Sequence, residues 1–163
     1  MKKLLLVLSC GWLFGCDYTA PLTTTADLAI DKAVIGLWER QKDNGDSEQL
    51  LILPLDKHEY MVSYPAGAED GMFARACLCR VADHTLVQLT WLGTARGRTM
   101  EDNRAYQLAA YAVSGENLTV RMLNSEVAGR DTSSTNAFAQ TILMNWNNPR
   151  LFRDGMVFTR IKP

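Results

Sequence analysis

Ile35-Gly36-Leu37-Trp38-Glu39-Arg40-Gln41, then Lys42-Asp43-Asn44-Gly45, then Gln49-Leu50-Leu51-Ile52-Leu53, is the stretch on which the fold turns. Ile35, Leu37 and Glu39 alternate with Gly36, Trp38 and Arg40, the period-two pattern of a strand whose faces meet different surroundings. Asn44-Gly45 is a strong short hairpin signal, because a tight turn matching strand twist needs residues that tolerate positive φ. The second run stops at Pro54 and Asp56-Lys57. The stretch therefore predicts two antiparallel strands.

Outward from there the pattern repeats. Residues 59–64 alternate Tyr60, Val62 and Tyr64 with Met61 and Ser63, and end at Pro65-Ala66-Gly67. Residues 72–81 form a longer run before Ala82-Asp83-His84, and residues 86–92 set Leu86, Gln88 and Thr90 against Val87, Leu89 and Trp91. Runs 105–113 and 118–123 flank the turn Ser114-Gly115-Glu116-Asn117, and residues 156–161 close the chain. Eight strands at this spacing point to an all-β sandwich or barrel. One segment breaks the pattern. Ser133 or Ser134 can cap a helix reaching about Trp146, with Phe138, Ile142 and Trp146 on one face and Asn147-Asn148-Pro149 as the stop. There are no internal repeats or low-complexity tracts.

Gly36-Leu37-Trp38 resembles the Gly-x-Trp signature of lipocalin-like barrels, with Arg160 of Val157-Phe158-Thr159-Arg160 in the matching place on the last strand. The resemblance implies that Trp38 plugs the closed end of a barrel and that Arg160 packs across it, a sound pairing of guanidinium with indole. A helix just before the final strand fits the same plan. The classical Thr-Asp-Tyr motif is absent. Residues 36–161 thus look like a group of small bacterial lipoproteins with a lipocalin-like (calycin-type) β-barrel. The expected fold is all-β, mainly antiparallel: an eight-stranded lipocalin-like barrel over 31–163 with one helix before the last strand. The competing architecture is an open sheet or a sandwich.

The N-terminus carries the other resemblance. Lys2 and Lys3 precede an apolar run from Leu4 to Phe14, eleven residues long. As a helix that run rises about 16 Å, short of the roughly 30 Å hydrocarbon core. It therefore suits a signal peptide rather than a span. Leu13-Phe14-Gly15-Cys16 resembles the lipobox of bacterial lipoproteins, with Phe14 departing from the usual residue at that place. The resemblance implies cleavage after Gly15 and a diacylglyceryl thioether, usually with an N-acyl chain, on Cys16. Two or three chains give stable anchoring where one does not. Val7-Leu8-Ser9-Cys10 is a second candidate, but it leaves only Leu4 to Leu6 ahead of it, below the roughly seven residues of an apolar core. The competing reading is an ordinary signal peptide with Cys16 incidental. Asp17 resembles the inner-membrane retention signal of enteric bacteria, which favours the inner membrane over the outer, with the domain facing the periplasm. Residues 16–30 read as a tether followed by a short helix within 26–35, capped by Thr25 or Asp27.

The charge balance is mild: 17 Lys+Arg against 18 Asp+Glu in 163 residues, a net −1. Losing residues 1–15 removes Lys2 and Lys3 and no acid, leaving 15 against 18, or −3, over 148 residues. No nucleic-acid partner is expected without a basic face. Only Cys77 and Cys79 fall in the domain, so a disulfide scaffold is excluded.

Chemical motifs are sparse. There is no Gly-x-Ser-x-Gly elbow, phosphate loop or dinucleotide fingerprint. His58 and His84 sit at polar turns and are expected to face solvent. Cys77-Leu78-Cys79 with His84 is a ligand short of a zinc site, so the cysteines are expected to pack as small apolar groups. The stretch 94–104 interleaves Arg96, Arg98 and Arg104 with Glu101 and Asp102, and reads as a solvated loop. Neither Glu69-Asp70 nor Glu101-Asp102 has the setting of a glycosidase pair. No catalysis, metal or cofactor is expected. The expected function is binding of a small apolar ligand, with Tyr60, Tyr64, Phe73, Trp91, Tyr106 and Tyr111 as candidate lining. The alternative is a periplasmic protein-interaction module, an inhibitor or an accessory subunit of envelope machinery.

Overall fold

A computed structural model describes residues 18–98, 105–130 and 134–162. Strands β1 (Gly36–Gln41), β2 (Ser47–Pro54), β3 (Glu59–Tyr64), β4 (Met72–Val81), β5 (His84–Thr94), β6 (Tyr106–Ser114), β7 (Asn117–Met122) and β8 (Met156–Arg160) follow the expected alternating runs. Each pairs antiparallel with the next, and β8 returns to β1 through Trp38 opposite Arg160 and Glu39 opposite Thr159. The sheet is a closed eight-stranded barrel, as expected, and not a sandwich. Closure leaves no long unpaired edge.

Alternation sorts the side chains. Trp38, Leu50, Ile52, Tyr60, Leu78 and Phe158 point inward and form one apolar cluster. The opposite parity on β4, β5 and β6 (Cys79, Val81, Leu86, Leu108) is also buried, in a second cluster outside the barrel wall. Helix α2 (Thr135–Met144) covers that wall with Phe138 and Ile142, both fully buried. Ser134 caps it by accepting from the Ala137 N–H at 3.2 Å. A strand covered on both faces is apolar at every position. This is why Ala76-Cys77-Leu78-Cys79 shows no alternation. A single turn, α1 (Ser125–Ala128), precedes α2, capped by Asn124.

The structure differs from expectation in three places. Residues 18–23 are docked rather than a free tether. Tyr18 is fully buried and exchanges two backbone hydrogen bonds with Tyr106, and Gln88 Oε1 accepts from the Thr23 N–H at 3.0 Å. The expected helix in 26–35 is only a 3-10 turn, Lys32–Val34, capped by Asp31 and not by Thr25 or Asp27. Helix α2 ends at Met144, so Trp146 reaches the helix-covered cluster from the following turn. Ser133, residues 1–17 with Cys10, Cys16 and Asp17, and 99–104 of the charged loop lie outside the described residues. Among the described residues no helix is long and apolar enough to cross a membrane.

Candidate ligand cavity

One end of the barrel is plugged. The chain before β1 crosses it, and its 3-10 turn is stitched to the wall. The Trp38 indole N–H donates to the Val34 carbonyl at 2.8 Å, and Tyr111 donates to Asp31 Oδ2 at 3.1 Å. The Asp31 N–H donates to the Tyr60 hydroxyl, and the Ile30 N–H to the Lys57 carbonyl at 3.1 Å. Arg160 lies over the fully buried Trp38 ring, 4.0 Å from its centre, and donates to the Ile35 carbonyl at 2.7 Å and to that of Ala33. Gly36 has φ +140°, and a Cβ there would sit 2.9 Å from Arg160 Nη1. Glycine is thus required twice, for its backbone and for the approach of the guanidinium. Gly36, Trp38 and Arg160 are therefore brought together at the plugged end.

Above the plug the interior is not filled. A cavity of about 140 Å³ remains, its wall made almost wholly of apolar side chains. Small residues on facing strands (Ala74, Ala76, Ala109) leave the space, and Val34, Tyr60 and Tyr111 floor it. Burial pushes the Tyr60 and Tyr111 hydroxyls above the ordinary tyrosine range; the Asp31 carboxylate adds to the shift at Tyr111, whereas at Tyr60 the bond from the Asp31 N–H opposes it, and both hydroxyls remain neutral. Toward the opposite end, the mouth, the wall includes Met72, Met122, Met156 and Trp91. The Trp91 indole N–H is buried with no hydrogen-bond partner among the described residues.

One charged network borders this interior. Glu48 accepts from Arg40 Nη2 and Lys42 Nζ, each at 2.7 Å, and from the Tyr64 hydroxyl. Burial pushes the Glu48 carboxyl up, but the donors Lys42, Tyr64 and Arg40 together outweigh it and hold it below the usual range. The same geometry raises Tyr64, through burial first and its bond to Glu48 second. Such groups remain charged when buried because each charge is met by specific donors.

No known protein family, curated protein or solved structure matches the chain.

Of the six aromatic residues expected to line the interior, Tyr60, Tyr64, Trp91 and Tyr111 do so. Phe73 does not: it faces outward, 38% exposed, ahead of a β-bulge between Phe73 and Ala74. Tyr106 does not either, since it packs with the helix-covered cluster. Phe158, Met122 and Met156 were missed, although their inward parity is readable once the register of β7 and β8 is known, and so was Met72, which shares the parity of Ala74 and Ala76 on β4. Cys77 and Cys79 are free thiols, both buried. Burial pushes the Cys79 thiol up to about 12 and raises Cys77 as well, so both are protonated packing groups. His84 directly follows the exposed turn Ala82-Asp83 but is half-buried rather than fully facing solvent. It begins β5 and stacks on Trp146, ring centres 3.6 Å apart. Among the described residues no three His, Cys, Asp or Glu side chains are grouped to hold a metal. Glu69 pairs with Arg96 at the surface.

Proposed function

We propose that this chain is a lipid-anchored protein of a bacterial cell envelope, of lipocalin-like type, whose barrel binds a small apolar ligand without catalysing a reaction. The observation that carries the ligand reading is the cavity: about 140 Å³ of apolar space inside a barrel plugged at one end. Apolar cavities of about 150 Å³ stay dry and take up molecules the size of benzene. The volume is below the roughly 300 Å³ of pockets that hold drug-sized ligands. The occupant is therefore slender: one ring, or the end of a hydrocarbon chain. The lipobox-like Leu13-Phe14-Gly15-Cys16 supports the anchor, and Asp17 favours the inner membrane.

Fluorobenzene is a suitable probe of the cavity. A saturable, slowly exchanging bound ¹⁹F signal with a stoichiometry of one supports the reading. Its absence at millimolar probe sinks it. Mass spectrometry of the N-terminal peptide tests the anchor, an unmodified Cys16 being the adverse result.

A second reading has its own support. Leu53 and Leu55 are 45% and 46% exposed on the outside of β2 and the turn after it, with Met61 opposite Leu53. Exposed apolar patches of this kind suit a partner protein. Co-purification of one stoichiometric protein with an empty barrel would favour this reading.

A further inference from the structure

We infer that the mouth of the barrel faces the lipid surface to which the chain is anchored, and that the cavity is loaded from that surface. The inference rests on the lipidation of Cys16 proposed above. It follows from where the described chain begins on the barrel.

Tyr18 is fixed in place. It is fully buried, its backbone exchanges hydrogen bonds of 3.1 and 3.2 Å with Tyr106, and its ring lies 4.7 Å from that of Phe138. Its hydroxyl donates to the Leu123 carbonyl. Tyr106 is the first residue of β6, and Leu123 directly follows the last residue of β7. Antiparallel order puts both at the mouth, opposite the end that Trp38 and Arg160 plug. Cys16 lies two residues before Tyr18. An extended chain spans at most about 3.6 Å per residue, so the Cα atoms of Cys16 and Tyr18 are within about 7 Å. An acylated Cys16 thus leaves almost no slack. A barrel resting on its plugged end would need a tether spanning the height of the wall, about 25 Å for a ten-residue strand such as β4 tilted by about 40°.

The side chains near the mouth fit a lipid surface. Phe73 pairs with Gly93, and Leu92 is the extra residue at the neighbouring bulge, so the two lie side by side on the outer wall. They are 38% and 44% exposed. The turns of this rim carry both signs, Lys42 and Asp43 on one and Glu69 and Arg96 on two others, so charge does not set the orientation. Met72, Met122 and Met156, whose thioether chains adapt to irregular occupants, line the route from rim to cavity floor. The chemistry recognised is a hydrocarbon chain presented end-on by the bilayer.

The test uses the lipidated full-length protein in vesicles of phosphatidylethanolamine and phosphatidylglycerol. One spin label is placed at Asp70→Cys, on the mouth side, and another, in a separate protein, at Asp83→Cys, in the turn after β4. Buried Cys77 and Cys79 are left unlabelled under native conditions. The expected result is a ratio of oxygen to nickel-complex accessibility several-fold higher at position 70 than at position 83. Equal ratios, or a higher one at position 83, overturn the orientation. The acyl mass on Cys16 is read from the same preparation. An acylated chain with the wrong ratios defeats this inference alone, whereas a chain without acyl groups defeats the anchor and the inference with it.

Discussion

Arg160 holds Trp38 twice: its backbone is the partner of Trp38 in the ladder that joins β8 to β1, and its guanidinium covers the Trp38 ring at 4.0 Å. The same guanidinium donates to the carbonyls of Ile35 and Ala33, so one side chain ties the first strand, the last strand and the plug. A cation over an indole contributes about 0.5–2 kcal/mol, and hydrogen bonds from a charged donor about 1.5–3 kcal/mol each. Arg160→Ala is therefore expected to cost about 2–4 kcal/mol after partial compensation by water. Arg160→Lys keeps the charge but not the planar fork, and should recover less than half of the loss. Urea unfolding midpoints measure both. An Arg160→Lys midpoint equal to wild type would show that charge alone suffices.

The cavity makes a separate prediction. Ala109 is 2% exposed and lines the space from β6. Ala109→Phe places a ring where the occupant would lie. Uptake of fluorobenzene should disappear, while stability changes by no more than about 2 kcal/mol, because filling a void offsets the strain of a larger side chain. Retained uptake with unchanged affinity would place the probe elsewhere on the molecule.

Much of the barrel was legible because its strands are bounded by strong punctuation. Asn44-Gly45, Pro65-Ala66-Gly67 and Ser114-Gly115 each mark a turn between runs of period two, and the observed strand limits follow them. Phe138 and Ile142 were legible from helical spacing. The docking of residues 18–23 was not, because Tyr18 and Leu22 are anchored by partners more than sixty residues away and show no period of their own. Phe73 was misplaced for another reason: β4 is covered on both faces over much of its length, so its run shows no clear alternation from which the inward parity of Met72, Ala74 and Ala76 could be read. The cavity depends on which strand faces which, so small residues at 74, 76 and 109 acquire meaning only in the closed barrel.

The thiols give a third prediction. Cys77 and Cys79 are 8% and 4% exposed, and the Cys79 thiol donates to the Leu86 carbonyl at 3.5 Å. Burial pushes Cys79 up to about 12, so almost no thiolate exists near neutral pH. The thiolate is the reactive form. In a Cys16→Ala protein lacking residues 1–15, neither thiol should react with a disulfide reagent at pH 8 in the folded state, and both should react in urea. Fast labelling of one thiol in the native protein would contradict the packing of β4 against α2.

Glu48 gives the fourth, in the form of a pH dependence. Its carboxyl is held below its ordinary value because the donors Lys42, Tyr64 and Arg40 outweigh the burial that pushes it up. An unfolded glutamate titrates near about 4.3. A carboxyl whose folded value is the lower one adds stability that is complete above the unfolded value and is lost as pH falls through the folded one. Glu48→Gln should therefore be less stable than wild type by about 1–3 kcal/mol at neutral pH, the scale of hydrogen bonds to a charged group. The gap should stay constant from pH 7 to about pH 5 and close below about pH 4, as wild type protonates. Paired urea titrations across that range measure it. A gap that persists unchanged at pH 3 would show that the loss comes from packing around Arg40 and Tyr64 and not from the charge of Glu48.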